Sequence, residues 1–327
     1  MTTHCLQLKD TDPYFNLAAE EYFLKSQADD FIMTWRSKSA VVVGKHQNAL
    51  AEINHRYVRE NQICVARRLS GGGTVFHDPG NLNFTFIRQV DQVDRINYSL
   101  FTQLMISILK KLQLDVYANQ HNAIFLDQKK VSGSADHVHR RRVMHHGTLL
   151  FNSHLHQLRD ALNVDLSRFD DKAIQSNRSE VVNLSGFLPS DMTMEKFSDF
   201  IFHQLVQTST DHVVREITSQ ERQDIETLRD EKYCRWNWIY GYSPRYRYRN
   251  ELPAAGKKVS FMLSVEKGII KESAWMGDIS ARLAAMLTNA LEGRNHDYEM
   301  LKQVIPGLET QLQNEGFSAE LLLEKIL

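Results

Sequence analysis

The sequence predicts an α+β fold, with mixed or antiparallel sheets flanked by helices and followed by a small second domain of strands and helices. Strand-like runs cluster early in the chain, and helix patterns then appear without the strict alternation of a doubly wound parallel sheet. After an aromatic, basic stretch at Arg235–Asn250, a second strand-then-helix pattern begins. It fills a tail of about 80 residues, enough for a small domain.

Each element has its own signal. Asp12-Pro13 starts a helix, because a carboxylate caps the first turn and proline is tolerated inside it. Leu17, Ala18, Tyr22 and Phe23 give that helix one apolar face. Asp30–Trp35 and the valine-rich Ala40–Gly44 read as strands, the second buried. Ile63–Ala66 is a short strand running into a glycine loop, and Leu82–Ile87 alternates as another. Leu100, Phe101, Leu104, Met105, Ile108 and Leu112 recur at helical spacing. Ala123–Ser132 forms a hairpin turning at Asp127-Gln128, and Val143–Asn152 is a further strand. Lys257–Met276 gives two strands joined through Lys267-Gly268, and two or three amphipathic helices complete the chain. Of two readings for Arg235–Asn250, a nucleic-acid surface and a linker whose rings anchor against a domain, the isolated run favours the linker.

Composition narrows the function class. The chain has 327 residues, 42% hydrophobic and 24% charged, which suits a globular protein with a real core. A formal net charge of −1 gives no electrostatic case for nucleic acid or an anionic membrane as main partner. Cys5, Cys64 and Cys234 are too few and too dispersed for a disulfide framework or a zinc site. The N-terminus lacks a basic start followed by an apolar core, and no apolar run approaches the roughly 20 residues of a membrane span. These features lead to the expectation of a cytoplasmic protein.

The stretch RRLSGGGTVFHDPGNLNFTF, Arg67–Phe86, carries the first chemical signal. Its flanks are apolar and strand-like, so the glycines sit inside a folded unit rather than in a linker. Glycine N–H groups can approach an anion closely, and of Arg67 and Arg68 only one can face the loop. No Gly-Lys-Ser/Thr follows and no βαβ unit surrounds it, so it is neither a P-loop nor a dinucleotide fingerprint. Pattern alone leaves an anion cradle and a plain turn equally open. Lys129-Lys130 entering a strand end can place a fixed positive charge, though a solvated hairpin lysine is the ordinary alternative. His145 and His146 are neighbours on a strand and face opposite ways, which argues against a shared metal and for one inward hydrogen-bonding histidine. Arg140-Arg141-Arg142 reads as a solvated basic loop.

Taken together, VVVGKHQN (Val41–Asn48), ARRLSGGGTVFHDPGNLNFTF (Ala66–Phe86), KKVSGSA (Lys129–Ala135) and HHGTLLFN (His145–Asn152) closely resemble the lipoate–protein ligase A family. NRSEVVNL (Asn177–Leu184) and RWNWIYGYSP follow in the family's order. The resemblance covers nearly the whole chain. It implies a biotin/lipoate ligase-like catalytic domain at 1–244 and a C-terminal accessory domain at 252–327. It further implies that lipoate and ATP, accompanied by Mg2+, give lipoyl-AMP and pyrophosphate. The lipoyl group then passes to a lysine of lipoyl domains of 2-oxoacid dehydrogenase acyltransferase subunits or of the glycine-cleavage H protein. A monomer is the family expectation.

Residue by residue, the resemblance makes Lys130 the catalytic lysine. It places Arg68, Ser70, Gly71, Gly72, Gly73, Thr74, Val75, Phe76, His77, Asn122, His146, Gly147 and Thr148 around the adenylate. Trp35 and the Val41–Gly44 strand, Val43 and Gly44 included, line the lipoyl slot. Many members carry Gly-Arg-Asn-Asp where this chain has Gln120-His121-Asn122-Ala123. The acid is absent, so the metal ligands stay unassigned; Asp78 and Asp127 are the nearest substitutes in sequence. Alternatives are a lipoyltransferase or octanoyltransferase using a preformed acyl donor, and a non-catalytic lipoate- or adenylate-binding protein. A cysteine-carried acyl group fits badly, because the cysteines lie away from the motifs.

Overall fold

The computed structural model describes residues 2–176, 179–254 and 256–327. Asn177 and Arg178, which open the NRSEVVNL segment, lie outside the described residues. The chain forms two compact units, the first from Met1–Lys45, Ile63–Asp160 and Ser176–Arg235, the second from His46–Gln62, Ala161–Gln175 and Trp236–Leu327. The architecture is α+β with mixed sheets, as the strand clustering predicts.

The first unit is built on a six-stranded sheet in the order Ser134–His139, Arg142–Leu150, Asn81–Gln89, Asp30–Trp35, Thr3–Gln7, His212–Val214. Thr3–Gln7 runs parallel to both its neighbours, and the remaining pairs are antiparallel. One face packs Phe84, Phe86 and Leu149 against Met105, Ile108 and Leu109 of helix Ser99–Lys110, and Phe197 and Ile201 of helix Met194–Val206. Burying each phenylalanine contributes about 1.5–3 kcal/mol. The expected apolar face of Ser99–Lys110 holds except at Leu100, which is exposed.

Helix Pro13–Ser26 starts as its sequence predicts, with the Asp12 carboxylate accepting from Tyr14 N and proline in the first turn. Leu17, Ala18 and Phe23 are buried, but so are Glu20 and Glu21, which the apolar pattern does not anticipate. Past its other end, Arg142 donates to the carbonyls of Leu24, Ala28 and Asp29. This corrects the solvated-loop reading of Arg140–Arg142: Arg140 and Arg141 are exposed at a turn, while Arg142 is buried and satisfies carbonyls at the end of the helix.

The glycine run connects two strands of one small sheet. Ala40–Val43 lies at its centre, parallel to Cys64–Arg67 and antiparallel to Val75–His77. A second small sheet carries Val116–Ala118, Ile124–Leu126 and Lys129–Ser132. Its hairpin turns at Asp127 (φ 48°) and Gln128 (φ 59°), the two left-handed positions of a turn that matches strand twist.

The second unit holds an antiparallel sheet in the order Phe169–Asp171, Tyr246–Ala254, Lys257–Glu266, Ile269–Gly277. Its second hairpin turns at Lys267 and Gly268, as expected. Four helices, Ala281–Leu291, Tyr298–Val304, Glu309–Asn314 and Ala319–Lys325, follow where two or three were expected. The linker reading of Arg235–Asn250 is corrected here. Trp236–Ile239 is helical and Tyr246 opens a strand, with Tyr246 and Tyr248 buried and Arg247 and Arg249 exposed. The Arg-Tyr alternation is a half-buried strand pattern.

Candidate functional site

The first unit holds a half-open cavity of about 150 Å3. Leu17, Trp35 and Val42 form an apolar wall, and Arg68, Gly73, Thr74 and Val75 bring the glycine loop to it. Lys130, Gly133, Ser134 and Ala135 face it from the end of the hairpin, and His146, Gly147 and Thr148 from the strand Arg142–Leu150. Glu20, His77, Asn83 and Ser176 complete the lining.

Adjacent arginines on a strand diverge, and these two do. Arg67 is fully buried and donates to the carbonyls of Gly44 and Lys45. Arg68 turns toward the loop: Nη2 donates to Gly71 O and Gly73 O (2.7 Å), Nη1 to Val42 O (3.1 Å) and Nε to Ser70 Oγ (3.0 Å). Its guanidinium therefore ties the loop carbonyls together. Gly72 sits at φ 82°, where a side chain is strained, and a Cβ there would lie 3.1 Å from Arg68 Nη2. On the far side, Thr74 N donates to Ser176 Oγ at 2.8 Å.

Lys129 and Lys130 also diverge. Lys129 pairs with Glu180 near the surface, whereas Lys130 is partly buried and makes no ion pair among the described residues. The backbone of Lys130 is held on both sides, its N–H donating to Glu180 O and its carbonyl accepting from Val182 N. Burial, and secondarily the charge of Arg68, holds the Lys130 ammonium below the ordinary lysine range. Two cations thus meet at one cavity.

The histidines separate as the strand geometry predicts. His145 turns away from the cavity, its Nδ1 2.6 Å from Asp136 and its ring stacked on Phe101. His146 turns inward: Nδ1 lies 2.9 and 3.0 Å from the two carboxylate oxygens of Glu20, and Nε2 lies 2.6 Å from Ser70 Oγ. Glu20 also accepts from Thr85 Oγ1 at 2.6 Å. His77 is buried, and desolvation first, then the charges of Arg68 and His146, push it down to about 3. Gly147 is required by close approach, since a Cβ there would lie 2.5 Å from Phe84 Cζ and 2.9 Å from Gly133 O.

Of the residues singled out by sequence, the cavity gathers Trp35, Arg68, Gly73, Thr74, Val75, His77, Lys130, His146, Gly147 and Thr148. Ser70, Gly71 and Gly72 stand behind the lining, joined to it through Arg68. Phe76 points into the core from the other face of its strand. Val43 and Gly44 do not line the cavity; Val42 does. Asn122 sits outside the lining at φ 58°, with its carbonyl accepting from Ser134 Oγ. Glu20, Asn83 and Ser176 were not anticipated. Asp78 is consumed by structure, accepting from Gly80 N and His154 N, and Asp127 is an exposed turn residue.

The donor set does not fit a protein-held magnesium ion. Among the described residues no three His, Cys, Asp or Glu side chains converge as ligands, and the carboxylate lining the cavity, Glu20, already accepts from Thr85 and is engaged with His146.

A profile of the lipoyl protein ligase A/B catalytic domain matches residues 12–206. The chain belongs to the lipoate–protein ligase family. A profile of the bacterial lipoate protein ligase C-terminus matches residues 243–326. Lipoate-protein ligase LplJ of Bacillus subtilis is 34% identical over 302 residues, 91% of each chain. Lipoate–protein ligase 1 of Staphylococcus aureus is 34% identical over 298 residues, 90% of each. Among solved structures, a lipoate-protein ligase A bound with ATP superposes with a TM-score of 0.64 at 24% identity, covering 74% of this chain and all of that one. A Thermoplasma acidophilum protein solved with bound lipoic acid gives 0.62 at 24%, covering 73% of this chain and all of that one. These structures establish the ligase fold. The family identifies the chain as a ligase enzyme, and no helix among the described residues is long and apolar enough to cross a membrane.

Proposed function

We propose that this ligase joins lipoate to proteins in two steps at the cavity described above. The observation that carries the reading is the meeting of Arg68, Lys130 and the glycine loop at a cavity whose wall also includes Leu17, Trp35 and Val42. Apolar walls suit an acyl chain, and two cations suit a phosphate. The ATP-bound and lipoic-acid-bound relatives have this fold and support the pairing of ligands.

In the first step a lipoate carboxylate oxygen attacks the α-phosphorus of ATP, and pyrophosphate leaves. In the second, an acceptor lysine amine attacks the acyl carbon, an amide forms, AMP leaves and the amine loses a proton. Lys130 lies where its charge stabilises negative charge on phosphorus and then on the acyl oxygen. The negative charge of an arriving phosphate offsets both the desolvation and the Arg68 repulsion that weaken the Lys130 ammonium. Neither His77 nor His146 is well suited as a dedicated base for the acceptor amine: His77 is held to about 3, and both nitrogens of His146 are engaged. Orientation of the amine supplies the rate instead.

The acceptors fitting this chemistry are lipoyl domains of 2-oxoacid dehydrogenase acyltransferase subunits and the glycine-cleavage H protein, met by a cytoplasmic monomer. The functional division is a catalytic part at 1–244 and an accessory part at 252–327. The test is incubation of the protein with ATP, magnesium, lipoate and an apo lipoyl domain, followed by intact mass measurement. Mass gain of one lipoyl group on the acceptor is expected. No gain refutes the ligase reading, and gain only with synthetic lipoyl-AMP assigns a transferase.

A further inference from the structure

Glu20 lies in the middle of helix Pro13–Ser26 and is 2% exposed. A carboxylate persists in such a place only when its oxygens are satisfied by donors. Its partners are Thr85 Oγ1 at 2.6 Å and His146 Nδ1 at 2.9 and 3.0 Å. From there the contacts continue without a gap. His146 Nε2 lies 2.6 Å from Ser70 Oγ, Arg68 Nε donates to Ser70 Oγ at 3.0 Å, and Arg68 Nη2 donates to Gly71 O and, at 2.7 Å, to Gly73 O. Four side chains connect the helix to the glycine loop.

The chemistry of each link constrains the next. An ionised carboxylate only accepts, so His146 Nδ1 carries the hydrogen. In a neutral ring Nε2 then accepts, the Ser70 hydroxyl donates to it, and the Ser70 lone pairs face Arg68 Nε–H. Glu20 thus leaves the Ser70 lone pairs free to hold the Arg68 guanidinium in one plane; with Nε2–H turned onto Ser70 instead, one of those lone pairs is taken and the Ser70 hydroxyl loses Nε2 as its acceptor. That plane fixes the carbonyls of Gly71 and Gly73, and with them the two planar peptide units Gly71–Gly72 and Gly73–Thr74. Ser70 is fully buried and already accepts from Arg68, which favours a bracing role over a nucleophilic one.

We propose that Glu20 is a positioning residue for the glycine loop: acting through His146, Ser70 and Arg68, it holds the loop in the conformation that receives the phosphate of the acyl-adenylate. The effect on loop order stands on geometry alone, and its catalytic consequence rests on the adenylation reading above.

The experiment compares the full chain with Glu20→Gln, Glu20→Asp and Ser70→Ala variants. Glutamine keeps the shape but presents an amide that can donate to Nδ1 and admits the other tautomer, and aspartate keeps the charge on a shorter stem. Hydrogen exchange of the Ser70–Thr74 amides without ligand is read first. Glu20→Gln and Ser70→Ala are each expected to speed exchange there by about tenfold or more, with Glu20→Asp between them and the wild type. AMP release during lipoyl transfer from lipoate and ATP to an apo lipoyl domain is read second. A fall in kcat of about tenfold with KM for lipoate changed less than about threefold is expected for Glu20→Gln, with partial rescue by Glu20→Asp. The Glu20→Gln change is expected to add little in the Ser70→Ala background. Unchanged loop exchange in Ser70→Ala and Glu20→Gln overturns the proposal, as does a rise in KM for lipoate with kcat intact, which makes Glu20 a wall of the acyl pocket. If Glu20→Gln does not fold, the exchange result for Ser70→Ala decides. If the wild type forms no lipoyl-AMP, the function reading fails while the exchange result still decides the loop claim.

Discussion

Replacing Lys130 with methionine tests whether its position serves chemistry or the fold. Methionine has a similar length and fills the same space without charge. In the structure the Lys130 ammonium is partly buried beside Arg68, makes no ion pair among the described residues, and is held below its ordinary range first by desolvation and then by Arg68. Folding therefore weakens this charge rather than gaining from it. Removing it leaves no buried partner unsatisfied, so unfolding free energy is expected to stay within about 0.5 kcal/mol of wild type or to rise. Catalysis should move the other way. A fixed donor aimed at developing negative charge is worth about 100- to 1000-fold in kcat, or about 2.7–4 kcal/mol. The assay pairs urea unfolding with steady-state lipoyl transfer to an apo lipoyl domain. A variant with kcat within about threefold of wild type removes Lys130 from the mechanism. A variant destabilised by more than about 2 kcal/mol makes the lysine structural, and either outcome refutes the reasoning.

Three further outcomes are expected. Gly147→Ala places a Cβ 2.5 Å from Phe84 Cζ and 2.9 Å from the Gly133 carbonyl, so the strand must shift; a loss of about 1–3 kcal/mol in urea unfolding is expected, and an unchanged midpoint contradicts the close approach. His55 and His296 are pushed down to about 4, and His77 to about 3, mainly by burial. The unfolded chain binds protons that these folded sites refuse, so stability is full above about pH 6.5 and falls as pH drops through the window below it, each histidine costing about 2 kcal/mol at pH 5; denaturant midpoints that do not fall between pH 7.5 and 5 refute it. Asp12→Ala removes the cap on helix Pro13–Ser26 and is expected to cost about 1 kcal/mol, read by thermal unfolding, with no loss if the Tyr14 N–H finds another acceptor.

Much of the frame was legible because its signals are local. Strand-like runs on either side of three glycines place them inside a folded unit, and both strands pair with Ala40–Val43. The hairpins at Asp127-Gln128 and Lys267-Gly268 announce themselves by residues that tolerate positive φ. The divergence of Arg67 from Arg68, and of His145 from His146, follows from strand period alone. Illegible were the choices made by distant residues. Nothing in the run Ala-Ala-Glu-Glu marks Glu20 as buried; its partners Thr85 and His146 lie 65 and 126 residues away. Arg142 looks like its exposed neighbours, yet it reaches carbonyls 113 to 118 residues earlier. Val42 rather than Val43 lines the cavity because one residue decides the face of a strand, and a uniform valine run carries no alternation to show which.

The charge balance of the cavity explains why the motifs had to be seen together. Each basic motif has an ordinary reading by itself, as a surface pair or a hairpin lysine. In the structure Arg68 and Lys130 reach one cavity, and its Glu20 carboxylate is already engaged with His146 and Thr85. Burial first, and then the charge of Arg68, depresses the Lys130 ammonium. The apolar wall of Leu17, Trp35 and Val42 lines the same cavity, so the proposed acyl-adenylate, an anion carrying an acyl chain, matches the cations and the wall at once.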